Sequence, residues 1–108
     1  MIKPVKITEM DIDFVKNYLR IEDDEDDLMI MTMLEAAKSF IQSYLNQKFE
    51  DFEELPNEFS IAALAIIAHW YERREIHSDK DTRSELRYVF AGLLDMHRLW
   101  NAEVINEN

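Results

Sequence analysis

His69 and Glu72 stand three residues apart in a helical stretch. That spacing sets an imidazole and a carboxylate on one helical face, as in carboxylate-bridged di-metal bundles. Such a centre needs a second pair on a facing helix, and the chain, with three His in all, has none. The simpler reading is a semi-buried histidine and a surface glutamate where a core helix reaches solvent. The six consecutive acids Glu22 to Asp27 invite a calcium reading. A calcium loop, however, needs Gly at its sixth position and Glu at its twelfth, and counting from Asp23 the twelfth position is Leu34. A solvated, self-repelling turn is the better account. Ser39, Ser43, Ser60, Ser78 and Ser84 have no elbow glycines around them, and the histidines have no partnered nucleophile. With no Cys there is no thiol nucleophile, cysteine zinc site or disulfide framework, which fits a reducing cytosol. We therefore expect no catalytic, metal or cofactor-binding set, and no enzyme.

Contact chemistry is better represented. Trp70, Tyr71 and Trp100 lie near Arg73, Arg74 and Arg98, the aromatic and arginine mixture of interface hot spots. Trp70 fits the core side of its helix, and Arg98 beside Trp100 is the best contact candidate on composition. Met29, Met31 and Met33 alternate, so they fall on different helical faces and at least one must be exposed or held in a subunit contact.

The elements that carry these residues follow from the apolar spacing. The 108 residues suffice for one domain with one core. A single Gly excludes phosphate loops, dinucleotide fingerprints and tight hairpins, and with them nucleotide-binding α/β folds. Thr8 and Asp11 resemble a capping box for a first helix over about residues 9–20, with Ile12, Val15 and Leu19 on one face. Asp26 and Asp27 are placed to cap a second helix, Asp27 to Gln47, whose apolar stripe is Ile30, Leu34, Ala37, Ile41 and Leu45. After Leu55-Pro56-Asn57, where Asn57 can cap, a third helix runs from Glu58 to Ile76. Its run Ile61 to Ala68 has no charged side, which predicts burial all round. A fourth, Arg83 to Trp100, sets Leu86, Val89 or Phe90, Leu93, His97 and Trp100 on one face. Gly92 marks a close crossing or a break there. Asn101 to Asn108 read as a flexible tail. The expectation is an all-α bundle of four helices, or five if the last is broken, around a central hydrophobic third helix.

The net charge is −11, and residues 1–58 carry fifteen acids against six bases. That balance argues against equilibrium grip on nucleic acid, which depends on Lys and Arg neutralising phosphates, while permitting DNA to slide past. The N-terminus lacks a signal-peptide core, and the longest apolar run, Ile61 to Ala68, is far short of a membrane span, so a soluble protein with no membrane partner is expected.

The order of pieces carries a likeness. Tyr18-Leu19-Arg20-Ile21 is followed by the acids Glu22 to Asp27, then by a long helix ending Ser43-Tyr44-Leu45 near Phe49. Leu55-Pro56 precedes a hydrophobic helix ending His69-Trp70-Tyr71-Glu72-Arg73-Arg74-Glu75, and Leu93-Leu94, Arg98 and Trp100 close the pattern. Over nearly its whole length the chain resembles the small head-tail connector (adaptor or head-completion) proteins of long-tailed bacteriophages and prophages, often labelled DNA-packaging proteins. It departs in one place: the family commonly has a Pro, often a Gly, shortly before the Leu-Leu pair, where this chain has Leu86-Arg87-Tyr88-Val89.

The resemblance implies a non-enzymatic structural protein of the virion head-tail junction, assembled in the host cytoplasm. About twelve copies would form a ring beneath the portal protein after packaging, extending the DNA channel and receiving the next head-completion or tail component. DNA would pass an acidic lumen without specific binding. At the matched positions Tyr18, Arg20, Trp70, Arg73, Arg74, Arg98 and Trp100 become candidates for core, subunit or portal contact, and the tail 101–108 for ordering on the portal. The competing reading is an acidic helical protein-binding module, such as a DNA-mimicking inhibitor. Mimicry needs acids arrayed along one face, and here they cluster in two loops, 22–27 and 50–54.

Overall fold

The computed structural model describes residues 4–73, 82 and 84–99. Among them the chain is all helical, with no strand. A 3₁₀ turn, Ile7–Glu9, leads into α1 (Ile12–Leu19), and α2 (Asp27–Leu45) follows the acidic turn. After a 3₁₀ turn at Phe49–Asp51 comes α3 (Glu58–Arg73). The last segment begins as α4 (Arg87–Val89), widens into a π turn over Phe90–Leu94 and tightens into a 3₁₀ turn at Asp95–His97.

The helix ends use side chains where a glycine would be usual. Asp11 caps α1, its carboxylate accepting from the Phe14 N–H at 2.9 Å. Thr8, the cap expected from the sequence, lies instead inside the first 3₁₀ turn. Past α1, Arg20 takes the left-handed conformation (φ 63°), and Ile21 N–H reaches back to Lys16 O at 2.9 Å. Asn46 does the same past α2 (φ 60°), with Gln47 N–H on Gln42 O. Both are Schellman-type endings, which satisfy the orphan carbonyls of the last turn. Asp26 stands at the α2 N-cap position but makes no side-chain cap; its carboxylate accepts from the Tyr71 hydroxyl at 2.8 Å. Asn57 likewise spends its side chain elsewhere, accepting from Lys6 Nζ at 2.9 Å.

The predicted stripe of α2 is the one that is buried: Ile30, Leu34, Ala37, Ile41 and Leu45, with Met33 beside them. It meets Phe59, Ala62, Ala63, Ile66 and Ile67 of α3, and Val15, Leu86, Val89, Phe90 and Leu94 close the core. The two long helices run antiparallel. Tyr71 at the end of α3 touches Asp26 before α2, while Phe59 at the start of α3 packs on Phe49 beyond α2.

Two expectations are corrected. α3 is not buried all round: Ile61 is 57% exposed, and Leu64, Ala65 and Ala68 are half-buried. Its neighbours α2, the N-terminal turn, α1 and the C-terminal segment cover the rest of its circumference and leave this stripe uncovered. The last helix ends after His97 and not at Trp100, and of the two readings open at Gly92 the structure shows a change of helix type around it. A Cβ at Gly92 would meet nothing within 4 Å, so a close crossing is not what the glycine serves. The π turn carries an extra residue per turn, which lets Phe90 and Leu94 both reach the core while Leu93 stays half-buried.

Candidate contact surface

Of the seven residues singled out, the structure separates those used inside the fold from those left on its surface. Trp70 is an internal strut. Its indole stacks on Phe40 (centroids 6.1 Å apart, planes within 7°), and Nε1 donates to the fully buried Thr82 hydroxyl at 3.2 Å. Arg98 is half-buried, its guanidinium 4.2 Å from the centre of the Tyr44 ring. Desolvated on one side, that stack ties the C-terminal segment to α2. Arg73 is exposed on its outer side and lies 3.1 Å from Glu85, which also stands 2.9 Å from His69 Nε2. Glu85, from beyond α3, thus stands against His69. Tyr18 (53% exposed) and Arg20 stand on the open surface at the end of α1. Arg74 and Trp100, like the tail 101–108, lie outside the described residues. The three methionines divide as their alternation requires: Met33 buried, Met29 half-buried and Met31 exposed.

Lys16 braces the acidic turn. Lys16 Nζ lies 2.8 Å from Asp27 and 3.1 Å from Asp24, and these hydrogen bonds raise the lysine pKa above its ordinary value. Glu22, Asp23 and Glu25 stay exposed around it. Among the described residues no group of three or more His, Asp or Glu is gathered as metal ligands. Nor is any helix there long and apolar enough to cross a membrane.

Sequence reasoning missed a clasp on the C-terminal segment. Leu99 N–H donates to Leu45 O at 2.9 Å, Asn46 Nδ2 to Leu99 O at 2.9 Å, and Gln47 Nε2 to His97 O at 2.6 Å. The segment therefore closes the C-terminal end of α2, where carbonyls lack intrahelical partners. On the other side His97 Nε2 lies 2.9 Å from Glu58 Oε2, its ring edge-on to Phe59. That hydrogen bond, with a further one from the Glu58 backbone, holds the Glu58 carboxyl below its usual range. Tyr44 hydroxyl and Asp95 carboxylate complete the clasp. The partners are 39 or more residues apart in sequence, so periodicity along one helix does not report them.

Two hollows lined by described residues border α2. One is an apolar pocket of about 80 Å³ between Thr32, Met33, Ala36 and Trp70. The other is an open polar groove at the far end, lined by Ser39, Ser43, Asn46 and Lys48 among others.

No curated protein and no solved structure matches the chain significantly. A family model does: that of the phage gp6-like head-tail connector proteins, over residues 9–100. Connectors are structural parts of the virion that join head and tail components. The matched span begins before α1 and runs past the clasp, so it takes in every helix described above. The chain belongs to the phage gp6-like head-tail connector family.

Proposed function

We propose that copies of this protein assemble into a ring beneath the portal, continuing the DNA channel and presenting a surface to the next head-completion or tail component. The observation that carries this reading is the connector-family match over residues 9–100. Two features of the fold support it. While α1, α2 and α3 each carry a single exposed acid, Asp13, Glu35 and Glu72, most exposed acids are gathered in turns, chiefly Glu22, Asp23 and Glu25 before α2 and Glu50, Asp51, Glu53 and Glu54 beyond it. Turned towards a channel they repel phosphates and let DNA slide. Their position at opposite ends of a 19-residue helix, about 28 Å apart at 1.5 Å per residue, also weighs against the DNA-mimic alternative, which needs a continuous acidic face.

Light-scattering mass after size exclusion tests the reading, first on the protein alone and then mixed with the portal protein of the same phage. The expected result is a mass of about twelve copies, or passage of this chain into the portal peak. A monomer that ignores its portal overturns it.

A further inference from the structure

Each of the two long helices turns a nearly uncharged face outward. On α2 the exposed line is Leu28, Thr32, Ala36, Ser39 and Ser43. Within the helix the neighbouring acid Glu35 lies 3.8 Å from Lys38, and beyond its end Lys48, Glu50 and Asp51 share a groove with Ser39 and Ser43. On α3 the line is Ile61, Ala65 and Ala68, and the exposed Glu72 ends it. In a chain of net charge −11 with 32% charged residues, solvent-facing helix surfaces ordinarily carry many charges. Both lines lie away from the buried faces through which α2 and α3 pack, with Trp70 of α3 reaching round to Thr32 and Ala36.

The two faces also match in relief. The α2 face is large at its N-terminal end, with Leu28 79% exposed, and small towards its C-terminal end at Ala36, Ser39 and Ser43. The α3 face is large at its N-terminal end, at Ile61, and small at Ala65 and Ala68. Since the helices are antiparallel, the large end of each lies level with the small end of the other. A second copy displaced sideways at the same height sets Ile61 against Ser43 and Ser39, and Ala68 against the Leu28 to Thr32 end. Small residues at such a crossing allow interaxial approach of about 8 Å. An isologous antiparallel pairing would also set the large end of a face on the small end of its copy, but it closes at two copies, whereas the heterologous contact repeats around a ring.

We infer that the α3 outer face of one subunit packs on the α2 outer face of the next, a heterologous contact that repeats around the ring. The inference rests on the ring proposed above and specifies the contact that closes it. It also assigns a reason to the missing charges: two subunits of this acidity repel unless the surfaces they share are neutral. The acidic turn before α2 lies beyond the Leu28 end of the contact, and Glu50 and Asp51, with Lys48, border its Ser39 and Ser43 end.

The absence of native Cys makes the test direct. The full-length chain is prepared as Ser39→Cys, as Ala65→Cys and as the double variant, and each is treated with a short bis-maleimide, with and without the portal protein. The two positions lie on different helices of one subunit, and covalent multimers require links between different copies. The expected result is a ladder of covalent multimers from the double variant and monomers from both single variants. Ser39→Arg, at an exposed position, should reduce the assembly to monomers while leaving the melting temperature unchanged. Dimers from a single variant would overturn the inference in favour of a self-complementary contact. Rings by light scattering that give no ladder and tolerate Ser39→Arg would overturn it while leaving the ring reading standing. A chain that never assembles, even with portal, would overturn both.

Discussion

Replacing Glu58 by Gln tests whether the clasp on the C-terminal segment contributes to stability through charge. The wild-type carboxylate lies 2.9 Å from His97 Nε2, at a site where the two side chains are 33% and 21% exposed. A hydrogen bond to a charged group is worth about 1.5–3 kcal/mol when shielded from water, and solvent screening at this exposure reduces it to about 1 kcal/mol. The amide keeps the shape and one possible hydrogen bond, so the loss at neutral pH is expected at about 0.5–1 kcal/mol, or a few degrees in Tm for a domain of this size. The pH dependence has a definite sign. The Glu58 pKa is lowered in the folded state from an ordinary 4.5. Its stabilisation is therefore fully present above the unfolded value and is lost as pH falls through the folded one. Urea denaturation of both proteins at a series of pH values should show midpoints separated at pH 7 and converging as the pH falls below the ordinary carboxyl value of 4.5. Equal midpoints at neutral pH, or a gap that persists unchanged in acid, would refute the electrostatic account.

Trp70→Ala removes the stack on Phe40 and leaves the buried Thr82 hydroxyl without its indole donor; we expect a loss of about 3 kcal/mol, with Trp70→Phe losing about 1 kcal/mol, read from denaturant midpoints. Arg20→Gly should stabilise the folded monomer. The left-handed conformation (φ 63°) costs a non-glycine residue about 1–2 kcal/mol, against about 0.5–1 kcal/mol of extra chain entropy for Gly, so the net gain is about 0.5 kcal/mol in urea unfolding. Gly92→Ala should be tolerated or raise stability by up to about 1 kcal/mol, since its Cβ enters open space; a drop in Tm would show that the π turn depends on glycine.

The buried stripe of α2 was legible residue by residue, because Ile30, Leu34, Ala37, Ile41 and Leu45 repeat at helical spacing and periodicity reports a single buried face directly. The start of α1 was misplaced by three residues because Thr8 and Asp11 both suit a cap. What decides between them is the turn Ile7–Glu9, whose Ile7 is drawn fully into the core. The candidate contacts were identified by residue type, and type does not distinguish an aromatic or arginine that binds its own chain from one that binds another. Trp70 and Arg98 are engaged inside the fold by Phe40, Thr82 and Tyr44, all from distant parts of the sequence. Tyr18 and Arg20 of the same set remain on the surface.

The misjudged burial of α3 is informative in a different way. A helix without charge on any side must be buried on every side, and Ile61 to Ala68 satisfied that premise. In the single chain the conclusion fails, since Ile61 is 57% exposed and its neighbours Ala65 and Ala68 are only half covered. Composition reflects the surroundings in which a side chain functions, and in the ring we propose those surroundings include adjacent subunits. If the α3 face is covered by the next copy, α3 is buried in the assembly to the extent its sequence demands. Hydrogen exchange of α3 before and after portal addition discriminates: amides around Ile61, Ala65 and Ala68 should gain protection on assembly. Unchanged exchange there, with rings present, would place the contact elsewhere and leave the apolar stripe without that explanation.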